Sequence, residues 1–167
     1  LYYFNVSVND SAGNVKTTAT RIVRLDTSIP DIFFGIGTDG NGTYLSRNFT
    51  IVNVTSTEGN LANITIYLWN GSLPNITTTL TSPNFVNITH LADGVYFFNA
   101  TAKDIAGNVN STNTRTVTLD TLVPVSSYGA GTDSNGSIVQ RNFVIVNVSV
   151  IEINLNTLNV SLYNRSG

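Results

Sequence analysis

The sequence repeats itself at an offset of 94 residues, and this feature constrains the fold more than any other. Aligned at that offset without a gap, residues 1–73 and 95–167 are identical at 35 of 73 positions. A fixed long period is typical of an array of similar structural units. We therefore predict one complete repeat at 31–124, preceded by the C-terminal part of another at 1–30 and followed by the N-terminal part of a third at 125–167.

The chain contains no methionine, and both outer repeats are partial, so we expect it to be a window from a longer polypeptide. The alternative is a short subunit whose strands complete a neighbour's fold, as in strand-complemented pili. Joining 125–167 of one copy to 1–30 of another would leave 21 positions, equivalent to 74–94, unfilled. The continuous polymer is therefore the simpler interpretation.

Strand-like alternation dominates the chain, and helical periodicity is absent. In residues 61–70, Ile64, Ile66 and Leu68 share one face, as expected of a half-buried strand. The run 47–55 is less regular, because its apolar residues share a face only if the strand carries a bulge. Short alternating runs separated by Gly, Asn and Pro turns predict an all-β fold of tandem immunoglobulin-like β-sandwich repeats with a 94-residue period.

Composition excludes several classes of function. Charged residues make up 11% of the chain and the net charge is −2, so no basic surface favours nucleic acid. No apolar run approaches the roughly 20 residues that span a bilayer, so we expect no membrane insertion in this segment. Cysteine is absent, which excludes thiol chemistry and cysteine metal sites.

Asparagine and hydroxyl residues replace the missing charges. The chain has 23 Asn and 38 Ser or Thr, and 15 of the Asn lie in Asn-x-Ser/Thr, the acceptor pattern for N-glycans, where random mixing would give roughly five. We predict that several carry N-linked glycans. The four pairs that recur at the repeat offset are the first candidates, and Asn53 and Asn147 are the least secure. The recurring pairs are Asn5/Asn99, Asn41/Asn135, Asn53/Asn147 and Asn70/Asn164; the other sequons are Asn9, Asn48, Asn63, Asn75, Asn87, Asn110 and Asn159.

Two local patterns sharpen the fold prediction. Tyr96, near the start of a late strand, is placed as in a tyrosine corner, in which the hydroxyl bonds nearby backbone. Asp104 opens a turn in which Gly107 and Asn108 tolerate left-handed backbone, and we expect its carboxylate to organise that turn. Pro124 then stiffens the connection to the next repeat.

These residues carry a resemblance to a known family. The pattern G-x-Y-x-F-x-A-x-A-x-D-x-A-G-N from Gly94 to Asn108, followed by a Thr-rich strand and D-T-x-x-P at 120–124, resembles the tandem immunoglobulin-like repeats of bacterial and archaeal cell-surface proteins, of the adhesin, stalk or filament type. The resemblance implies a structural, non-enzymatic protein. The sequon density is more similar to archaeal envelope proteins than to bacterial adhesins.

One loop and one set of acidic residues invite alternative interpretations. Residues 35–40 (GIGTDG) match the dinucleotide pattern G-x-G-x-x-G, but a strand-like run follows instead of a helix, and the second copy lacks the third glycine, so we interpret them as a turn. The acids Asp104, Asp120 and Glu152 could hold calcium at a repeat junction. We favour the simpler interpretation that each carboxylate caps its own loop.

No catalytic constellation is evident. His90 is the only histidine, and no base accompanies the abundant Ser and Thr. Trp69, with Tyr163 at the equivalent position, lies on a predicted outer face where it could stack on a sugar or a neighbouring subunit. Other apolar residues expected on outer faces, and able to contact neighbouring subunits, are Phe33, Phe34, Tyr67 and Phe97.

We therefore expect a structural repeat module of a long, N-glycosylated extracellular filament, stalk or sheath at the cell surface, of archaeal type. Its expected partners are other copies of itself or adjacent repeats, together with its covalent glycans, and no cofactor is expected. The alternatives are a glycan- or surface-binding adhesin repeat, stiffened by calcium, or a short strand-exchanging subunit.

Overall fold

A computed structural model describes residues 1–71, 75–79 and 82–164. It divides into two compact units, Leu1–Thr121 and Leu122–Gly167. The described residues form strands, turns and irregular segments without a helix. The all-β immunoglobulin-like prediction is therefore confirmed, while the 94-residue period stays a prediction.

The first unit opens with two small antiparallel strand pairs, β1 with β4 and β2 with β3. Their bounds are β1 (Tyr2–Phe4), β2 (Ser7–Asn9), β3 (Val15–Thr17) and β4 (Arg21–Val23).

The rest of the first unit is a sandwich of two sheets. The smaller has three strands in the order β10-β7-β5; the larger follows β6-β13-β11-β8-β9, with β12 also paired to β11. All pairings are antiparallel except that of β6 with β13. The strands are β5 (Ile32–Phe34), β6 (Thr43–Leu45), β7 (Thr50–Ser56), β8 (Leu61–Trp69), β9 (Asn75–Thr79), β10 (Asn84–Ile88), β11 (Gly94–Asp104), β12 (Val109–Ser111) and β13 (Arg115–Leu119).

Alternating apolar residues of both sheets meet in the core. On β8 and β11 every second side chain is buried, as the alternation predicts. Phe98 is fully buried and meets the ring of Phe34 edge-on, with centroids 5.5 Å apart. The remaining buried apolar residues are Ile32, Val52, Val54, Ile64, Ile66, Leu68, Ile88, Tyr96, Ala100, Ala102, Val117 and Leu119.

Strand β7 resolves the ambiguous phase of residues 47–55. Thr50, Val52 and Val54 point into the core, and the pairings with β5 and β10 run without a register shift. Phe49 lies just before the strand, beneath the guanidinium of Arg47, 4.3 Å from the ring centroid. The bulge considered for this strand is therefore not needed.

The N-terminal segment exposes the residues that the complete sandwich buries. Tyr2 is 61% and Phe4 49% exposed, whereas their equivalents Tyr96 and Phe98 are 5% and 0% exposed. Leu25 is likewise exposed, whereas its equivalent Leu119 is buried. The difference follows from the missing cover, because 1–30 has no second sheet packed on it in the described chain.

The second unit contains one antiparallel pair, β14 (Val125–Tyr128) with β15 (Val148–Ile151). Val146 is 41% exposed, although its equivalent Val52 is fully buried. An open hollow lined by apolar and polar side chains lies over this pair, at the place where the complete repeat has its core. Its lining includes Ser126, Tyr128, Val148, Leu158, Val160 and Ser161.

Candidate functional site

The turn after β11 is built around one buried carboxylate. Asp104 is 1% exposed, and its Oδ1 accepts bonds from the backbone N–H groups of Gly107 and Asn108, both at 2.7 Å. Its Oδ2 accepts from Asn108 Nδ2 at 2.8 Å. Gly107 has φ of +100°, which a residue without Cβ adopts freely. The expected turn-organising role of Asp104 is thus seen in its contacts.

The same turn forms in the first copy, where it is exposed. Asp10 Oδ1 accepts from the N–H groups of Ala12 (2.9 Å) and Asn14 (2.8 Å), and Oδ2 accepts from Asn14 Nδ2 at 2.7 Å. The turn therefore follows from its local sequence, with or without a sandwich around it.

These hydrogen bonds lower the pKa of both aspartates. Burial acts to raise the pKa of Asp104, but the bonds from the side chain and backbone of Asn108 and from Gly107 outweigh it. The side-chain bond from Asn14 is the main cause for Asp10. The pKa of Asp133 is also lowered, chiefly by the hydrogen bond from the backbone N–H of Ile145 and by the neighbouring Arg141.

We expect acid to destabilise the first unit through Asp104. Its folded pKa lies below its unfolded value of about 3.9, so the stabilisation is complete above pH 4 and is lost as the pH falls through the folded pKa. Thermal unfolding between pH 2 and 7 would show Tm falling below pH 4. In Asp104→Asn the dependence should be flatter, because that group no longer titrates; an unchanged pH profile would contradict the assignment.

The junction between residues 1–30 and the complete repeat is closed by three asparagine side chains. Asn60 Nδ2 donates to Asp26 Oδ2 at 3.0 Å, and Asn108 Nδ2 donates to the Asp26 carbonyl at 3.2 Å. Asn110 Nδ2 donates to the carbonyl of Pro30 at 2.9 Å. Pro30 itself is fully buried. The connecting segment 26–30 is thus fastened to the repeat that follows it.

Asn108 links the buried turn to this junction. Its Nδ2 reaches both the carboxylate of Asp104 and the carbonyl of Asp26. The turn-organising aspartate therefore also orients a side chain that holds the connection. The roles of Asn60 and Asn110 were not predicted, although the recurrence of Asn60 as Asn154 at the repeat offset was an available signal.

The glycine-rich loop at 35–40 is a turn that hydrogen bonds fasten to Asn53 of strand β7, and we call this set of bonds the clamp. The Gly35 N–H donates to the carbonyl of Asn53 at 2.8 Å, and the Thr38 hydroxyl donates to the same carbonyl at 2.7 Å. The N–H of Asn53 lies 2.9 Å from Thr38 Oγ1, and its Nδ2 donates to the carbonyl of Ile36 at 2.9 Å. Strand β6 follows this loop, not the helix that a dinucleotide site needs.

Asp39 completes the clamp. Its Oδ2 accepts from the N–H of Ile51 at 2.9 Å and from the hydroxyl of Thr50 at 2.8 Å, and its Oδ1 pairs with Arg47. The carboxylate is therefore used within the fold, as the capping interpretation expects. Arg115 adds a bond to the Asp39 carbonyl at 2.9 Å.

The second unit repeats this loop almost atom for atom. Asn147 Nδ2 donates to the carbonyl of Ala130 at 3.0 Å, and Thr132 Oγ1 donates to the carbonyl of Asn147 at 2.7 Å. Asp133 Oδ2 accepts from the N–H of Ile145 at 2.9 Å and pairs with Arg141. The clamp thus forms in a unit that lacks a closed sandwich.

The proposed metal ligands do not assemble into a site in the described part of the chain. Among residues 1–71, 75–79 and 82–164, no group of three or more His, Asp or Glu side chains is close enough to hold a metal ion. Asp104 has both carboxylate oxygens occupied by its own turn, and Glu152 Oε1 accepts from the N–H of Asn154 at 2.8 Å. His90 is exposed, with its Nδ1 2.9 Å from the Thr89 hydroxyl.

The sequon asparagines occupy several kinds of position. Asn53, Asn147 and Asn110 use their amide nitrogens in the clamps and the junction described above. Asn99 Nδ2 lies 3.2 Å from Thr114 Oγ1, and Asn5 Nδ2 lies 3.4 Å from Thr20 Oγ1. Asn63 is half-buried on β8, and the side chain of Asn75 lies outside the described residues. The exposed sequons are Asn5, Asn9, Asn41, Asn48, Asn70, Asn87, Asn135, Asn147, Asn159 and Asn164.

Most of the aromatic residues expected on outer faces lie there, but Phe34 does not. Trp69 and Phe97 stack on the outer face of the larger sheet, with centroids 6.1 Å apart and rings inclined by 21°. Phe33 is 45% exposed. Phe34 was expected outside and is instead packed against the core, because it shares a face of β5 with the buried Ile32 while Phe33 between them points outward. Arg115 covers the Phe34 ring at 4.3 Å.

The tyrosine corner is present as predicted. The hydroxyl of Tyr96 donates to the carbonyl of Ala92 at 3.1 Å, and the residue is 5% exposed.

Among the described residues, no helix is long and apolar enough to cross a membrane.

Comparison with family models agrees with this architecture. The family model described as a bacterial Ig-like domain matches residues 1–27 and 70–121. One similar solved structure, an engineered protein, has 16% sequence identity and a TM-score of 0.43, covering 55% of this chain and 20% of that one. This chain therefore spans about a fifth of that protein's length. No curated protein matches the sequence. The family match thus supports a relation to bacterial Ig-like domains in these two segments of the chain.

Proposed function

We propose that this chain is a non-catalytic structural module of a long extracellular filament, stalk or sheath, built from tandem Ig-like repeats and decorated with N-linked glycans. The bacterial Ig-like match supports a surface-protein module. The sequon density and low charge support an archaeal-type envelope, in which glycans supply the hydration that charged side chains do not.

The observation that carries this proposal is the fastened junction. A flexible tether between domains would leave its backbone to solvent, but segment 26–30 is bonded by Asn60, Asn108 and Asn110 and ends in a buried proline. Arrays of repeats depend on such nearest-neighbour contacts for part of their stability. A rod that transmits force along its length needs this kind of connection.

We expect the junction bonds to slow local opening of the connecting segment. Removing a side-chain bond in Asn60→Ala or Asn110→Ala should raise amide exchange at Ser28, whose N–H donates to Asp26 Oδ1, about fivefold for each bond. Asn87→Ala, at an exposed position of β10, is the matched control. Equal exchange in all variants and the wild type would mean that the segment is a free tether.

The glycoprotein and long-array parts have a separate test. The native polypeptide would be isolated from the cell envelope and weighed before and after chemical deglycosylation. A stripped mass far above 18.0 kDa with a large glycan increment is expected. A mass of 18.0 kDa that stripping leaves unchanged would overturn both parts and favour short strand-exchanging subunits.

The alternative function is a glycan-binding adhesin repeat, and the stacked Trp69–Phe97 pair favours it. Sugar rings pack on exposed aromatic faces, and this pair lies on the outer face of the larger sheet. Saturation of the Trp69 fluorescence change by a soluble oligosaccharide would support that function, and Phe97→Ala should abolish the change.

A further inference from the structure

We infer that two groups of sequons differ in their modification: Asn53, Asn110 and Asn147 are structural and stay unmodified, while Asn41, Asn70 and Asn87 accept the glycans. This inference rests on the proposed glycoprotein function and assigns its modification sites.

The chemistry of the modification makes the side-chain nitrogen decisive. The donor is an oligosaccharide linked through a diphosphate to a lipid. Its sugar C1–O bond breaks, a bond from Nδ2 to C1 forms, the amide gives up one proton, and the lipid diphosphate leaves. The product therefore needs room for a sugar ring at Nδ2 in the folded protein.

Asn53 has no such room. Its Nδ2 donates to the carbonyl of Ile36, its Oδ1 is buried without a hydrogen-bond partner, and a Cβ built on Gly35 would lie 2.9 Å from Nδ2. Since a single added carbon collides there, a sugar ring does not fit without opening the clamp. Asn147 is exposed, but its Nδ2 makes the equivalent bond to the carbonyl of Ala130, and a Cβ built on Gly129 would lie 2.8 Å from that nitrogen.

Asn110 is excluded by a different contact. Its Nδ2 donates to the carbonyl of Pro30 at 2.9 Å, and its Oδ1 accepts from the N–H of Ser111 at 2.8 Å. Both ends of the amide are therefore used, and the nitrogen faces the junction. A glycan at this position would separate segment 26–30 from the complete repeat.

The acceptor class shares exposure and a free nitrogen. Asn41 Oδ1 accepts from the N–H of Thr116 at 2.8 Å, which anchors the side chain through its oxygen and leaves Nδ2 for reaction. Asn70 is exposed where β8 ends, and Asn87 is exposed on β10 of the other sheet. Glycans on these residues would cover both sheets. Asn135 and Asn164, the equivalents of Asn41 and Asn70, are exposed as well.

The test is glycopeptide mapping of the folded 1–167 chain, secreted by a cell that glycosylates Asn-x-Ser/Thr. We expect glycan mass on the peptides that contain Asn41, Asn70 and Asn87, and none at Asn53 or Asn110. Occupancy of Asn53 or Asn110 in folded protein would overturn the division while leaving the glycoprotein proposal intact. Unmodified peptides throughout would overturn the glycoprotein proposal and the acceptor class with it.

A second measurement tests the structural class without glycans. In protein made by a host that lacks the transferase, Asn53→Gln should lower Tm by about 5 °C, because the longer side chain misplaces the amide. Thr55→Ala removes the same sequon but keeps Asn53, so its Tm should fall by less. Asn87→Gln should leave Tm unchanged. Equal Tm values for Asn53→Gln and Asn87→Gln would contradict the structural role of Asn53.

Discussion

Phe98→Ala should destabilise the complete repeat by about 3–5 kcal/mol, whereas Phe4→Ala should change its stability by less than about 1 kcal/mol. Phe98 is fully buried and packs edge-on against Phe34, so truncation removes apolar contact and leaves a cavity between the two sheets. Phe4 occupies the equivalent sequence position but is 49% exposed. A domain's total stability is only about 5–15 kcal/mol, so the first loss would be severe.

Urea unfolding followed by fluorescence of the only tryptophan, Trp69, measures the complete repeat directly, because that residue lies on β8. Far-ultraviolet circular dichroism would follow the whole chain. Comparable losses in both variants would contradict the expectation. They would mean that the face carrying Phe4 is covered in solution, as the strand-exchange alternative requires.

Gly35→Ala should cost about 1–3 kcal/mol through steric overlap alone. A Cβ at this position would lie 2.9 Å from Asn53 Nδ2 and 3.1 Å from its Cγ, so either the clamp or the strand must shift. Gly59→Ala is the matched control, because its Cβ would meet nothing within 4 Å. That variant should be neutral or stabilising by about 0.4–1 kcal/mol, since alanine restricts the unfolded chain.

A double-mutant cycle identifies the cause. With Asn53→Ala in the background, the Gly35→Ala substitution should cost less, because the atoms that it overlaps have been removed. Additive losses in the cycle, or a loss at Gly59 as large as that at Gly35, would show that the clamp is not the reason. Chemical denaturation of the four proteins under identical conditions gives the comparison.

The core of the complete repeat was predictable because strand alternation is a local property. Ile64, Ile66 and Leu68 were placed on one face from the sequence, and all three are buried. Tyr96 and Asp104 were also assigned correctly, because their partners lie within a few residues along the chain. Phe34 was misplaced because consecutive residues of a strand point to opposite faces, so Phe33 and Phe34 could not both lie outside.

The junction could not be derived in the same way. The bonds from Asn108 and Asn110 to segment 26–30 join residues about 80 apart in sequence, and an asparagine in a turn is explained equally well by its own backbone. For a related reason, the sequence alone could not show which sequon asparagines are enclosed by other residues. Asn53 and Asn87 both match Asn-x-Thr, and only the packing around Gly35 distinguishes them.

The sequence by itself determined the strand faces, the turns at Asp10 and Asp104, and the repetition of a sandwich-forming pattern, because each depends on near neighbours in the chain. Only the tertiary structure decided burial. Phe4 and Phe98 have the same local pattern, yet one is exposed and the other enclosed. The physical reason is that apolar residues are removed from water by a second sheet, which local sequence can prepare for but cannot supply.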